Sequence, residues 1–250
     1  MRSALADVDV LILAGGLGSR LAGVLDNMPK VLAPVGGRPF LDYQLDYLAG
    51  EGVRKVVLSL GHRAEMVLAH LAETKSPIRV ETVVESHPLG TSGAIAFARS
   101  KLSSDPVAVL NGDTWLDLDL AEMLAEHRAS SGALATLGCI SVDDTRRYGA
   151  VDLRVDGSVG RFIEKGESSP TGGLVNGGVY LLSARLLDSL AAMFGSSLER
   201  DVLPHLPAGT LRAYVVRRAN FLDIGTPESY ARAAAHLAAR NRKPMAAGGA

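Results

Sequence analysis

With 250 residues, the chain is long enough for one large domain or two small ones, and its 47% hydrophobic content supplies a substantial core. A formal net charge of −1 excludes a general nucleic-acid binder, while leaving room for a local cationic site. The one cysteine, Cys139, can form neither an internal disulfide nor a cysteine metal cluster, and its apolar run (Ala133 to Ile140) marks it as a buried structural thiol.

Met1 to Asp9 contains acids and no long apolar core, so no signal peptide is expected. No apolar run approaches the roughly 20 residues of a membrane span, so the expected location is cytoplasmic with no membrane partner. The aliphatic run Val10 to Leu13 stops at Ala14, and Gly15, Gly16 and Gly18 follow, with Ser19 and Arg20 directly after. This spells a buried strand that delivers a compact loop to one end of a sheet. The glycines let backbone N–H groups approach an anion, and Arg20 adds a fixed charge. The loop lacks the Gly-Lys-Ser/Thr ending of a Walker A motif. It also lacks the third glycine of a dinucleotide fingerprint, which removes an NAD-type oxidoreductase.

Pro29 restrains the backbone before Lys30, and Val31 to Val35 reads as a short extended piece closed by a turn at Gly36-Gly37. Pro39 then starts a helix with Leu41, Leu45 and Leu48 on one face, ending near Gly50 to Gly52. Lys55 to Leu60 is a strand without alternation, as expected when both faces are covered. Gly61 to Glu73 reads as helical and Ile78 to Val84 as a strand ending at Glu85. The loop Pro88 to Gly93 leads into a helix from Ala94 to Lys101. Pro106 to Leu110 is a buried strand that runs into Asn111-Gly112-Asp113, and Asp117 to Ala129 is a helix. Strand, loop and helix in repetition imply a parallel sheet with helices on both faces, whose ligands bind at the carboxyl ends of strands.

The second half changes rhythm. Ala133 to Ile140 reads as a strand, and Tyr148 to Arg154 with Val159 to Glu164 as a hairpin across Asp156-Gly157. Leu174 to Leu182 is a strand interrupted by Asn176-Gly177-Gly178. Helices around Ala184 to Met193 and Leu198 to His205 precede strands at Leu211 to Arg217 and Phe221 to Ile224. Thr226-Pro227-Glu228 opens a last helix that runs to about Arg240. With no repeat and no clear linker, residues 1–242 read as a single domain. Its first half, 1–130, reads as a nucleotide-binding part and its second, 131–242, as a mixed-sheet substrate part, which the resemblance given below makes the sugar-phosphate half, with 243–250 a disordered tail.

Asp113 and Asp223 both follow strands. Each can ligate a hard divalent cation, most simply Mg²⁺, and each can equally cap a turn. Lys30 and Lys165 are further cation candidates. Glu164 offers an ion-pair partner or a hydroxyl-binding acid. Asn176 beside Gly177-Gly178 offers either an amide close to a ligand or a β-bulge. The six histidines are scattered without metal-ligand spacing, and no serine sits on a nucleophile elbow.

Taken in order, Leu13 to Arg20, Pro29-Lys30, Leu89-Gly90-Thr91-Ser92-Gly93-Ala94, Asn111-Gly112-Asp113, Phe162 to Lys165, Asn176-Gly177-Gly178 and Asp223 to Glu228 resemble the sugar-1-phosphate nucleotidyltransferase family across nearly the whole chain. Ser19 stands where the family more often has threonine. The resemblance implies a three-layer α/β/α Rossmann-like fold, similar to glycosyltransferase-A, with a mixed, mostly parallel central sheet. It implies that Leu13, Ala14, Gly15, Gly16, Gly18, Ser19, Arg20, Lys30, Gly90, Thr91, Asn111 and Gly112 bind the nucleotide. Arg20, Lys30 and Asp113 would be catalytic, and Asp113 and Asp223 would hold Mg²⁺. Asp113, Tyr148, Gly149, Glu164, Lys165, Asn176 and Gly177 would bind the sugar phosphate.

The implied reaction joins a nucleoside triphosphate to a sugar 1-phosphate and releases pyrophosphate. A phosphomonoester, with a second pKa of about 6, is already mostly ionised at neutral pH, so no general base is needed. The obstacle is repulsion between two anions, which cations and in-line positioning relieve. Within the family the motifs look most like the guanylyltransferases of heptose 1-phosphate. Mannose, glucose and N-acetylmuramate substrates with GTP, UTP or dTTP stay open. So do a nucleotide-sugar sensor without turnover and a homo-oligomer.

Overall fold

In a computed structural model the described residues are 3–16, 18, 21, 23–25, 28–145, 150–163, 172–192, 196–216 and 220–240. Strand β1 (Val10–Ala14) is followed by a short 3-10 turn at Lys30–Leu32 and a small ladder of β2 (Pro34–Val35) with β3 (Arg38–Pro39). Helix α1 (Phe40–Gly50), β4 (Lys55–Leu60), α2 (Ala64–Glu73), β5 (Arg79–Val84) and α3 (Gly90–Ala98) come next. They lead to β6 (Val107–Asn111), β7 (Thr114–Leu116), α4 (Leu120–Ala129) and β8 (Ala135–Val142). The remaining strands and α-helices are β9 (Ala150–Leu153), β10 (Val159–Ile163), β11 (Gly173–Leu182), α5 (Ala184–Ser189), β12 (Leu211–Val216), β13 (Phe221–Asp223) and α6 (Pro227–Arg240), with short helical turns at Leu198–Val202 and Leu203–His205 between α5 and β12.

One nine-stranded sheet runs through these elements in the order β10-β9-β11-β6-β1-β4-β5, with β8 beside β11 and β12 beside β8. Strands β6, β1, β4 and β5 are parallel, as are β8 and β12, whereas β11 runs antiparallel to both β6 and β8. Side chains of β1 alternate between two cores. Val10 and Ile12 pack with Phe40, Leu41 and Leu48 of α1 and with Leu120 and Leu124 of α4. Leu11 packs with Val57 and Val109 against Ile95 of α3 and Leu186 of α5. The sheet is therefore covered on both faces, which gives the three-layer α/β/α fold and explains why its central strands read as unbroken apolar runs. Cys139 is fully buried, and burial raises its thiol pKa to about 12, as expected for a structural residue.

Several elements depart from the sequence reading. Val31 and Leu32 belong to a turn begun at Lys30, where an extended piece from Val31 to Val35 was expected, and only Pro34–Val35 is a strand. Leu32 N–H donates to the Pro29 carbonyl, and the turn sends Val31 and Leu32 into the core. Pro39 ends β3 and precedes α1 rather than beginning the helix. Helix α2 starts at Ala64, not Gly61, because the Gly61 backbone lies against Gly15: a Cβ there would fall 2.7 Å from the Gly15 carbonyl oxygen. Helix α3 starts at Gly90, inside the expected loop. Helix α4 starts at Leu120, where Asp119 accepts a hydrogen bond from Glu122 N–H. Strand β11 is continuous across Asn176 to Gly178, with a register shift between Asn176 and Tyr180 that makes a bulge. The expected tail (243–250) and the ends of the hairpin at 148–149 and 164 lie outside the described residues.

Candidate functional site

The carboxyl ends of β1, β5 and β6 open on a cavity of ≈ 380 Å³. Leu13 to Gly16 enter it from the end of β1, and Asn111, Gly112 and Asp113 from the end of β6. Gly90 and Thr91 enter from the first turn of α3, and Lys30 from the 3-10 turn. Ten of the expected site residues thus share one wall. The two strand ends approach closely because position 112 has no side chain. Gly112 N–H donates to the Leu13 carbonyl at 2.9 Å, and a Cβ at Gly112 would lie 2.6 Å from that oxygen. Gly18 does not line the cavity. Its φ of +64° needs glycine, and it packs against the Lys30 side chain.

Lys30 Nζ forms an ion pair with Asp113 Oδ2 at 2.8 Å, with both side chains only partly exposed. The Asp113 turn is held from below. Gln44, on α1 and buried, donates from Nε2 to the carbonyls of Asn111 and Thr114, each at 3.1 Å. Asp223 reaches the same turn by strand pairing: β13 pairs antiparallel with β7, setting Asp223 opposite Thr114, and Ile224 N–H donates to the Asp113 carbonyl at 2.9 Å. Asp223 Oδ1 also accepts from Gly225 N–H at 2.6 Å, so it caps its own turn as well. Among the described residues there is no group of three or more His, Cys, Asp or Glu side chains that could hold a metal. Asp113 lines the cavity and Asp223 does not, although β13 sets it opposite Thr114; one or two carboxylates are what Mg²⁺ commonly takes, with phosphate oxygens and water in its remaining positions.

Two carboxylates line the cavity that the sequence did not mark as ligands. Glu85, just past β5, accepts from Ser59 Oγ at 3.0 Å and from Leu89 N–H at 3.2 Å. Its place at a strand end was a readable signal. Glu199 had none, because it comes from a helical turn far along the chain. Its Oε2 accepts from Thr91 Oγ1 at 3.1 Å and Ser197 Oγ at 2.9 Å, and its Oε1 from Tyr180 Oη at 2.9 Å. Asn176 and Gly177 lie outside the cavity wall, at the β11 bulge. Asn176 Oδ1 accepts from Gly178 N–H at 2.8 Å, and Nδ2 donates to Tyr180 Oη at 2.7 Å. Burial raises the Tyr180 pKa well above its ordinary value, and the adjacent Glu199 carboxylate adds to the rise, so the phenol stays protonated and donates. Ser19, Arg20, Tyr148, Gly149, Glu164 and Lys165 lie outside the described residues.

A glycine-bearing strand end, a lysine and an aspartate gather on one cavity at the carboxyl edge of a mixed sheet, where α/β enzymes bind their ligands. The chain belongs to the Nucleotidyl transferase family, whose profile matches residues 9–240. Members of this family use divalent cations in general. The chain is 35% identical over 230 residues to D-glycero-alpha-D-manno-heptose 1-phosphate guanylyltransferase of Aneurinibacillus thermoaerophilus, covering 92% of this chain and 98% of that protein. It is 36% identical over 233 residues to mannose-1-phosphate guanylyltransferase of Mycobacterium tuberculosis, covering 92% of this chain and 64% of that longer protein. Crystal structures of HddC from Yersinia pseudotuberculosis, one complexed with GMP-PN, superpose with a TM-score of 0.80 at 34% identity, covering 92% of this chain and 99% of theirs. No helix among the described residues is long and apolar enough to cross a membrane.

Proposed function

We propose that the protein is a cytoplasmic guanylyltransferase that joins GTP to D-glycero-α-D-manno-heptose 1-phosphate, acting as a single domain over residues 1–242. The observation that carries this reading is the convergence of Gly15-Gly16, Gly90, Lys30 and Asp113 on one cavity. Heptose rather than mannose is favoured by the relatives matched over nearly their full length. Guanine is favoured by those relatives and by Glu85. Its carboxylate adds hydrogen-bond acceptors beside Gly90, and guanine is the base whose edge carries an added N2–H₂ donor.

In the reaction, a phosphate oxygen of the sugar 1-phosphate attacks the α-phosphorus of GTP in line. The bond from that phosphorus to the β-bridging oxygen breaks, and pyrophosphate departs with its electron pair. The backbone of Ala14 to Gly18 presents N–H groups to the base and phosphates, and Gly90 with its neighbours sits against the nucleobase. Lys30 has three donors and gives one to Asp113, leaving the others for phosphate oxygens. Arg20 adds charge on the triphosphate side. Tyr148, Gly149, Glu164, Lys165, Asn176 and Gly177 receive the sugar phosphate. Asp113 and Asp223 would hold Mg²⁺, which when bound supplies neutralising charge to the phosphates.

A screen of GTP, ATP, UTP, CTP and dTTP against heptose, mannose, glucose and N-acetylmuramate 1-phosphates, read by pyrophosphate release, tests the reading. The expected result is highest kcat/KM for GTP with the heptose ester. Release with no pair would overturn it, and a preference for mannose 1-phosphate would move the substrate to that of the mycobacterial relative.

A further inference from the structure

Tyr180 sits on β11 with no exposed surface, and its hydroxyl is shared between parts of the molecule far apart in sequence. It accepts from Asn176 Nδ2 at the bulge and from the Asn111 amide at the end of β6, and donates to Glu199 Oε1. The other oxygen of Glu199 holds Thr91 Oγ1, and Thr91 Oγ1 in turn accepts from Leu198 N–H at 2.7 Å. Ser92 N–H donates to the Ser196 carbonyl at 3.2 Å, a second tie between the same two segments. A continuous chain of hydrogen bonds thus runs from Asn176 through Tyr180 and Glu199 to Thr91 at the start of α3. Its two ends are a residue proposed to receive the sugar phosphate and one proposed to hold the nucleotide.

Every link is partnered. The Asn176 amide is used on both sides, because Oδ1 takes Gly178 N–H and Nδ2 reaches Tyr180. Such a network has one well-satisfied arrangement, and shifting either end leaves a buried polar group without its partner. Bulges are where a strand re-aims a side chain, and here the re-aimed side chain is fixed by the tyrosine.

We infer that Tyr180 and Glu199 form a positioning relay that ties the orientation of Asn176 on the acceptor side to that of Thr91 on the nucleotide side. The inference rests on the proposed function. Neither Tyr180 nor the Asn176 bulge lines the cavity, so Tyr180 acts only through its neighbours. Glu199 faces the cavity and holds the nucleotide end of the relay. The relay makes binding of one substrate sensitive to the alignment of the other.

The test is a double-mutant cycle on Tyr180→Phe and Asn176→Ala, with initial rates measured against each substrate separately. Tyr180→Phe keeps the ring packing and removes the hydroxyl. It should raise KM for the sugar 1-phosphate on the order of tenfold, the scale of one lost buried hydrogen bond, with a smaller change for GTP. If Tyr180 acts through Asn176, the double variant should match Asn176→Ala alone in that KM. Effects that multiply independently, or a fall in kcat alone with both KM values unchanged, would overturn the relay. Should Tyr180→Phe not fold, as judged by circular dichroism, Glu199→Gln replaces it in the same cycle, and the double variant should again match Asn176→Ala alone in the sugar 1-phosphate KM, the GTP KM being no criterion there because Glu199 holds Thr91 directly. A wild-type protein that releases no pyrophosphate with any pair would instead bring down the proposed function and the relay with it.

Discussion

Replacing Gln44 by methionine probes how the Asp113 turn is held. Both partners of Nε2 are carbonyl oxygens, so that atom must be the amide nitrogen, and methionine of similar volume cannot replace its bonds. Two hydrogen bonds are lost, each contributing about 1 kcal/mol net. The carbonyls belong to partly exposed residues, so water takes up part of the deficit. Against the loss, Gln44 Oε1 is buried without a hydrogen-bond partner, and removing it recovers about 1 kcal/mol. The balance is a destabilisation of up to about 1 kcal/mol, or a midpoint shift of no more than roughly 2–4 °C for a chain of this size. Gln44→Glu should be worse, because it aims carboxylate oxygens at two carbonyl oxygens, and its deficit should grow as pH rises and the carboxyl ionises. Turnover should fall by roughly 10- to 100-fold in either variant, since Asp113 lies between the two carbonyls that lose their hold. Urea unfolding gives the stability change and pyrophosphate release the activity. A Gln44→Met protein with unchanged urea midpoint and rate, and a Gln44→Glu protein no worse, would refute the reasoning.

Asp113→Ala should reduce kcat by about 10²–10³-fold, the scale of a lost electrostatic element, and weaken Mn²⁺ binding measured by calorimetry; near-normal values would remove Asp113 from the metal assignment. Gly112→Ala forces a Cβ to within 2.6 Å of the Leu13 oxygen and 2.8 Å of Val31 Cγ1. It should cost about 1–3 kcal/mol in thermal unfolding and weaken GTP binding, and an unperturbed protein would show that the ends of β1 and β6 can part freely. Asp9 ties β1 to Lys55 at 2.8 Å and to Ser103 N–H at 2.5 Å. Burial alone would raise its pKa, but the Lys55 and Ser103 bonds outweigh it and hold the carboxyl below its ordinary 3.8. Its contribution to stability is therefore full above the unfolded-state pKa and disappears as pH falls through the lowered one. Asp9→Asn should lower the urea midpoint at pH 7, with the gap to wild type closing in strong acid; an equal gap at both pH values would refute the linkage.

The fold was largely legible because its signals are local. Runs such as Val10 to Leu13 and Lys55 to Leu60 announce doubly covered strands, and Asn111-Gly112-Asp113 announces a strand end that presents a carboxylate. Boundaries were misread where tertiary contacts overrule local preference, as at Gly61, whose backbone packs on Gly15, and at Lys30 to Leu32, which turn to bury two side chains. The supports of the site were not legible at all. Gln44 meets Asn111 across 67 residues and Thr91 meets Glu199 across 108, and a buried glutamine or a helical glutamate carries no motif of its own. Asn176 stood between two readings, ligand or bulge. The structure places it at a bulge, and its amide leads through Tyr180 to the cavity wall.

Strand β13 lays Asp223 opposite Thr114, and it is made more than a hundred residues after Asp113. A growing chain therefore makes the glycine loop, Lys30 and Asp113 early, and the partner of Asp113 only after the entire second half has left the ribosome. Because β6 also pairs with β11 and Leu11 packs on Leu186, the two halves fold together as one unit, and Thr114–Leu116 stays an unpaired edge until Phe221–Asp223 has been made. A polypeptide released before Phe221 would carry the residues of the glycine loop yet lack the second carboxylate. On the proposed assignment, the capacity to react is thus acquired late in biogenesis, with the last strand to join the site.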